Sequence, residues 1–166
     1  DIPASAFDAA MKSVDWPGRL QRLSRGPLVE AAPPGAEIWI DGGHNEDGAR
    51  VAAEAMGERA ALSDAPLVLV CGLLATKDAR AYLAQFTDLA NRIVAVPPPS
   101  DNYGRAPADV AEAARDLGLF ASEAETVEEA FRTIGRMNWR KPPRILVCGS
   151  LYLAGAALAA NGTIIE

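Results

Sequence analysis

The chain has 166 residues, 49% of them hydrophobic and 23% charged, with a net charge of −6 at neutral pH. One domain is the economical reading, long enough to bury about 70% of its unfolded surface. The acidic balance argues against a nucleic-acid or anionic-membrane surface. No apolar run approaches the ~20 residues that a spanning helix needs.

The N-terminus, "DIPASAFDAAMKSVD", reads as a short helix with Phe7, Ala10, Met11 and Val14 on one face. It has no signal-peptide core. Beginning at Asp1 without an initiator Met, the chain is expected to be a fragment, with residues 1–15 a linker or short helix from a missing half. "WPGRLQRLSRGPLVEAA" follows, alternating apolar and basic residues around Gly26-Pro27 in a pattern that suits a hairpin or ribbon.

From Glu37 onward the hydrophobic period switches repeatedly between two and 3.6. "EIWID" is a strand, and Ala49, Ala52, Ala53 and Met56 form one helical stripe after it. "PLVLVCG" is a strand buried on both faces. A helix over Arg80–Leu89 turns Leu83 and Phe86 inward, and "RIVAV" is the next strand. "PPPSDNYGRAP" is a loop. Pro107 opens a helix that Gly118 ends. A short strand "LFA" leads to "TVEE", a capping box that starts the helix through Phe131 and Ile134. "RILVCG" and the helix "SLYLAGAALAA" complete the series, and the tail "GTIIE" is a candidate edge strand. Such alternation predicts an α/β, Rossmann-like three-layer domain: a mostly parallel sheet with helices on both faces, preceded by a small hairpin. Ligands of such sheets gather at the carboxyl ends of the strands. "LVCG", which occurs twice, reads as two central strands meeting one packing demand.

The loops at those ends exclude several chemistries. Gly43 to Gly48 has P-loop spacing, but Ala49-Arg50 stands where Lys-Ser/Thr is needed, and no G-x-G-x-x-G occurs. One histidine and two cysteines on separate strands cannot form a tetrahedral zinc site. Asp41, Asn45, Glu46 and Asp47 could touch a hard cation, but first-turn carboxylates more often complement a helix dipole. G-x-S-x-G is absent. Cys71 and Cys148 lie in apolar runs as buried thiols without a disulfide framework, which favours a cytoplasmic setting.

Four residues remain as site candidates: Arg19, Asp41, His44 and Ser150. Asp41 ends a strand, as a turn residue bonding local N–H groups or as a ligand contact. His44, the lone histidine, sits just after a pair of glycines at a strand end, poorly placed to fill a core. Asn45 is the natural cap of the helix that follows. Ser150 caps the last helix, whose N-terminus can receive an anion. Arg19, fixed by Trp16-Pro17-Gly18, is more deliberately presented than Arg22 or Arg25, which read as solvated.

Taken together, "WPGRL" (16–20), "DGGHN" (41–45), "GLLATKD" (72–78) and "GSLYLAG" (149–155) resemble the C-terminal domain of the bifunctional folylpolyglutamate synthase/dihydrofolate synthase family of the Mur ligase superfamily. The likeness spans the chain from Trp16 onward, which sets residues 16–166 as one Mur-ligase-type domain. It implies an ATP-dependent ligase that makes an acyl phosphate of dihydropteroate or folate and joins L-glutamate to it. It also implies a partner P-loop domain holding Mg2+, and a chain that is inactive without it and works as a monomer. Arg19 and Asp41 match ATP contacts of the family, and His44 and Ser150 match residues on the glutamate or acyl-phosphate side. Gly43, Glu46 and Thr76 depart from the commoner family residues, and the last leaves the role of Lys77 open. A Mur-type peptidoglycan ligase domain and a non-catalytic module for small anions are the competing readings.

Overall fold

The computed structural model describes residues 17–99 and 103–163. The helix expected before Trp16 and the expected strand in the "GTIIE" tail lie outside these residues, apart from Gly162 and Thr163.

Six strands form one sheet: β1 (Gln21–Leu23), β2 (Glu37–Ile40), β3 (Leu67–Cys71), β4 (Ala90–Ala95), β5 (Ala121–Glu123) and β6 (Arg144–Cys148). Their order is β1-β2-β6-β3-β4-β5, parallel throughout except where β1 runs antiparallel to β2. The two "LVCG" runs are the sheet's centre. They lie side by side with like residues paired, Leu69 to Leu146, Val70 to Val147 and Cys71 to Cys148. All five residues of each strand are buried, as continuous apolar runs require.

Alternation along each strand divides the core. One face carries Leu67, Leu69, Cys71, Ile93 and Leu146 beneath helices α2 (Glu46–Leu62), α3 (Ala79–Ala84) and α4 (Pro107–Asp116). The other carries Ile38, Ile40, Val68, Val70 and Val147 beneath α1 (Pro27–Ala31), α5 (Val127–Arg136) and α6 (Leu151–Ala160). The expected stripe Ala49, Ala52, Ala53 and Met56 is the buried face of α2. The expected Rossmann-like three-layer arrangement is the one observed.

Local chemistry sets the helix starts. Asn45, Asp78, Thr126 and Ser150 each accept a backbone N–H from their own first turn. At the expected capping box Thr126 accepts the Glu129 N–H, while Glu129 reaches back one residue past the cap to accept the Glu125 N–H at 2.7 Å.

Three boundaries differ from the sequence expectation. The ribbon becomes edge strand β1 plus the short helix α1, because Pro27 sits at the first helical position after Gly26 at φ 112°. Helix α3 ends at Ala84 rather than Leu89; beyond it Phe86, Thr87 and Leu89 bond three residues back, a tighter turn that still buries Phe86. The "LFA" strand forms two residues later as Ala121–Glu123. Leu119 drops into the core from the turn after α4, while Phe120 stays 72% exposed under Arg92. An edge strand needs no apolar run, so apolarity pointed to the wrong residues.

Candidate functional site

At the carboxyl end of β2, Asp41 is turned inward, only 7% exposed. Its Oδ1 accepts the Gly43 N–H at 2.7 Å and its Oδ2 accepts the Leu20 N–H at 3.0 Å. The Gly42 N–H donates to the Gly18 carbonyl at 2.7 Å. Two hydrogen bonds therefore join the "PGRL" loop to the "DGG" turn, although about twenty residues separate them, and the Asp41–Gly43 bond closes the turn itself. Tyr82, buried on α3, donates its hydroxyl to the Gly43 carbonyl at 3.2 Å from the other side. Burial first, then the neighbouring Cys148, Cys71 and Asp41, hold the Tyr82 hydroxyl well above the usual phenol range, so it stays protonated as a donor.

The glycines of this turn are close-packing residues. A methyl on Gly42 would run into Leu151 at the start of α6, and one on Gly43 would lie 2.7 Å from Asp41 Oδ1. Since β2 and β6 are neighbours, the turn after β2 and the N-terminus of α6 stand side by side.

Arg19 is exposed at the rim of a cavity of about 370 Å³ formed with Leu20, Asp41, Gly43, Asp47 and Val51. The structure thus brings Arg19 and Asp41 together. Among the described residues, Arg19 has no ion-pair partner. His44 is half-buried, its Nδ1 3.4 Å from the Gly42 carbonyl. Ser150 is 1% exposed, and its Oγ accepts the Tyr152 N–H at 3.1 Å. Neither His44 nor Ser150 lines the cavity that Arg19 and Asp41 share.

Lys77 belongs to a different cluster, with Asp78, Arg80, Arg105 and Asp109 around a cavity of about 470 Å³. Arg105 is the tie that sequence reasoning missed. Its Nη2 donates to the Ala75 and Lys77 carbonyls at 2.9 and 2.5 Å, and its N–H to Leu73 at 2.8 Å. It thereby pins the "LLATKD" loop to the loop that precedes α4. The signal was faint: an arginine two residues before the helix-opening Pro107, lacking any periodic context. Tyr82 was equally hidden, since its spacing on α3 shows only burial.

A larger cavity, about 820 Å³, lies elsewhere, between Pro97–Pro99, Tyr103, Tyr152 and the start of α5. None of the four sequence candidates lines it. The cysteines chemistry excluded by sequence also stays quiet in the structure. Cys71 and Cys148 are buried free thiols. The Cys71 thiol is pushed well up by its bond to Cys148, by burial and by the charge Cys148 would carry, the opposite of an activated nucleophile.

Among the described residues, no group of three His, Cys, Asp or Glu could hold a metal ion, and no helix is long and apolar enough to cross a membrane. An exposed guanidinium at a strand's carboxyl end suits part of a phosphate site. The acidic start of α2, Glu46 and Asp47, does not suit a complete one.

Residues 18–151 match the family described as Mur ligase, glutamate ligase domain. Over 141 residues the chain is 30% identical to folylpolyglutamate synthase of Lacticaseibacillus casei, covering 85% of this chain and 28% of that protein. Its fold matches Mycobacterium tuberculosis folylpolyglutamate synthase complexed with ADP and AMPPCP, with a TM-score of 0.79 at 23% identity, over 100% of this chain and 37% of that one. It also matches a bifunctional folylpolyglutamate synthase/dihydrofolate synthase with Mn, AMPPNP and L-glutamate bound. There the TM-score is 0.75 at 20% identity, over 96% of this chain and 35% of that one. The chain thus spans about a third of the length of the relatives it matches.

Proposed function

This chain belongs to the Mur ligase glutamate ligase domain family, and from that membership we propose that it is the C-terminal domain of an ATP-dependent folate ligase. It works joined to a P-loop domain that holds Mg2+ and most of the nucleotide. The single observation that carries this reading is the Arg19–Asp41 cavity: an exposed guanidinium, without an ion-pair partner among the described residues, at the carboxyl end of β2 beside a buried carboxylate.

In the proposed reaction, the γ-phosphoryl group of ATP passes to a carboxylate oxygen of dihydropteroate or folate. ADP leaves and an acyl phosphate forms. The amine of L-glutamate then attacks the acyl carbon, the C–O bond to phosphate breaks, the amine loses a proton, and an amide remains. Arg19 contacts the phosphate chain and offsets charge that builds during transfer. Ser150 and the N-terminus of α6 face the glutamate side, where a hydroxyl and free N–H groups can hold a carboxylate. His44 acts beside them. With Nδ1–H donating to the Gly42 carbonyl, its Nε2 is the lone pair that can accept a hydrogen bond from the incoming amine. Magnesium would be held by the P-loop domain, where it would supply charge neutralisation to the transferring phosphate.

The reading is supported by solved relatives bound to ATP analogues, L-glutamate and Mn. The test is a ligation assay on the complete protein with ATP, Mg2+, L-glutamate and either dihydropteroate or folate. A product heavier by one glutamyl residue, formed with equal ADP and phosphate, is expected. No product from either acceptor, or product only from a muramyl peptide, overturns the proposal.

A further inference from the structure

Resting on the glutamate-side role proposed for His44, we propose that Tyr82 is a positioning residue that acts through the Gly43–His44 peptide to hold the imidazole in its working orientation. Tyr82 is 1% exposed on α3, its ring centroid 6.0 Å from that of buried Phe86. Asp78 caps that helix, and its carbonyl accepts the Tyr82 N–H at 3.1 Å, so backbone and ring are both held. The hydroxyl reaches across to the turn after β2, 39 residues earlier in sequence, and donates to the Gly43 carbonyl at 3.2 Å. Burial above all keeps the proton on that oxygen. The Cys148 thiol beside it is a weak acceptor by comparison.

Neighbouring parts of the turn have partners of their own. The Gly42 N–H is bound to Gly18 and the Gly43 N–H to Asp41, while Asn45 is held as the cap of α2 by the N–H groups of Gly48 and Ala49. The Gly43–His44 peptide lies between these anchors. Its carbonyl is bound by Tyr82, and its N–H has no acceptor among the described residues. Such a peptide can turn about the ψ of Gly43 and the φ of His44 while its neighbours stay in place, and a glycine on one side lowers the steric barrier. Tyr82 selects one sense of it, with the carbonyl inward and the N–H outward. That sense sets the φ of His44, and φ decides which rotamers the imidazole can take. In the observed one, Nδ1 lies 3.4 Å from the Gly42 carbonyl. With a phenylalanine at this position, either sense of the peptide leaves a polar group facing inward unpaired, and the selection is lost.

The test uses the complete protein and separates kcat from KM. His44→Ala is expected to lower kcat about tenfold or more, with the KM for ATP unchanged. Tyr82→Phe removes one oxygen and keeps the ring. It is expected to lower kcat about threefold or more, again with the KM for ATP unchanged. In the His44→Ala background, Tyr82→Phe is expected to cost nothing further. Phe86→Leu reads packing alone: its urea midpoint should fall further than that of Tyr82→Phe while kcat stays at the wild-type value. Wild-type kcat in Tyr82→Phe, or an equal loss in both backgrounds, would overturn the positioning role and leave the glutamate-side reading intact. A kcat loss in Phe86→Leu as large as that in Tyr82→Phe would overturn it too, since packing would then explain both. Wild-type kinetics in His44→Ala would overturn the glutamate-side reading and the inference with it.

Discussion

The two ends of the sheet use charge in opposite ways. At the amino end, side chains satisfy one another. The buried Arg144, first residue of β6, bonds Glu37, first residue of β2, at 3.0 Å, and Arg59 stacks 4.0 Å over the Trp39 ring with Arg22 at 5.9 Å. At the carboxyl end, Asp41 satisfies backbone instead and Arg19 is left exposed. A closed set of pairs stabilises a fold. A cation held in place without a partner is available for something else. The difference teaches where to look: around β2 and β6 the amino end holds its charge in pairs, whereas at the carboxyl end of β2, where the proposed site lies, Arg19 has no ion-pair partner among the described residues.

Substitutions can break or sharpen that contrast. The largest stability loss is expected from Gly149→Ala, at the working edge itself. Gly149 has φ 105°, and a methyl there would lie 2.7 Å from the Gly72 carbonyl oxygen. Strain and collision together should cost about 3 kcal/mol in urea unfolding. Next comes Arg144→Met at the amino end. Glu37 keeps some access to water, so the loss is expected to be roughly 1–2 kcal/mol, below that of a fully buried pair.

The same variant carries a pH signature. Burial pushes the Glu37 carboxyl up, but the bond and charge of Arg144, helped by Trp39 and Arg22, outweigh it and hold the pKa below its ordinary 4.5. A depressed carboxylate contributes stability that is fully present above pH 4.5 and lost as pH falls through the lower folded value. Arg144→Met should therefore flatten the acid limb of the stability curve below pH 4.5 and leave its neutral slope unchanged. The smallest effect is expected from Lys141→Ala. Its bridge to Asp64 is also at the amino end but stands in water, and the urea midpoint should not move measurably.

Much of this molecule was legible in its residues, for local reasons. Continuous apolar runs located β3 and β6, and the caps Asn45, Thr126 and Ser150 followed from the side-chain chemistry of a helix start. The strand ends then pointed to Asp41, His44 and Ser150. Hidden features were those made by distant partners. Nothing within the "PGRL" loop shows that Leu20 is held left-handed by a residue 21 positions later. Arg105 likewise acts on carbonyls 28 and 30 residues away. Helix α1 was missed because Gly-Pro reads equally as a turn and as a helix start, and the choice was made by Leu28 packing into the core.

The central claim, that the carboxyl end works on nucleotide while the amino end holds the fold, meets its most direct test in Arg19→Ala. The measurement is kcat/KM for ATP in the complete protein, set beside its urea midpoint. We expect a ten- to hundredfold fall with the midpoint unmoved, as for the loss of one charge-assisted contact. Wild-type kinetics, or a fall matched by lost stability, would contradict the account.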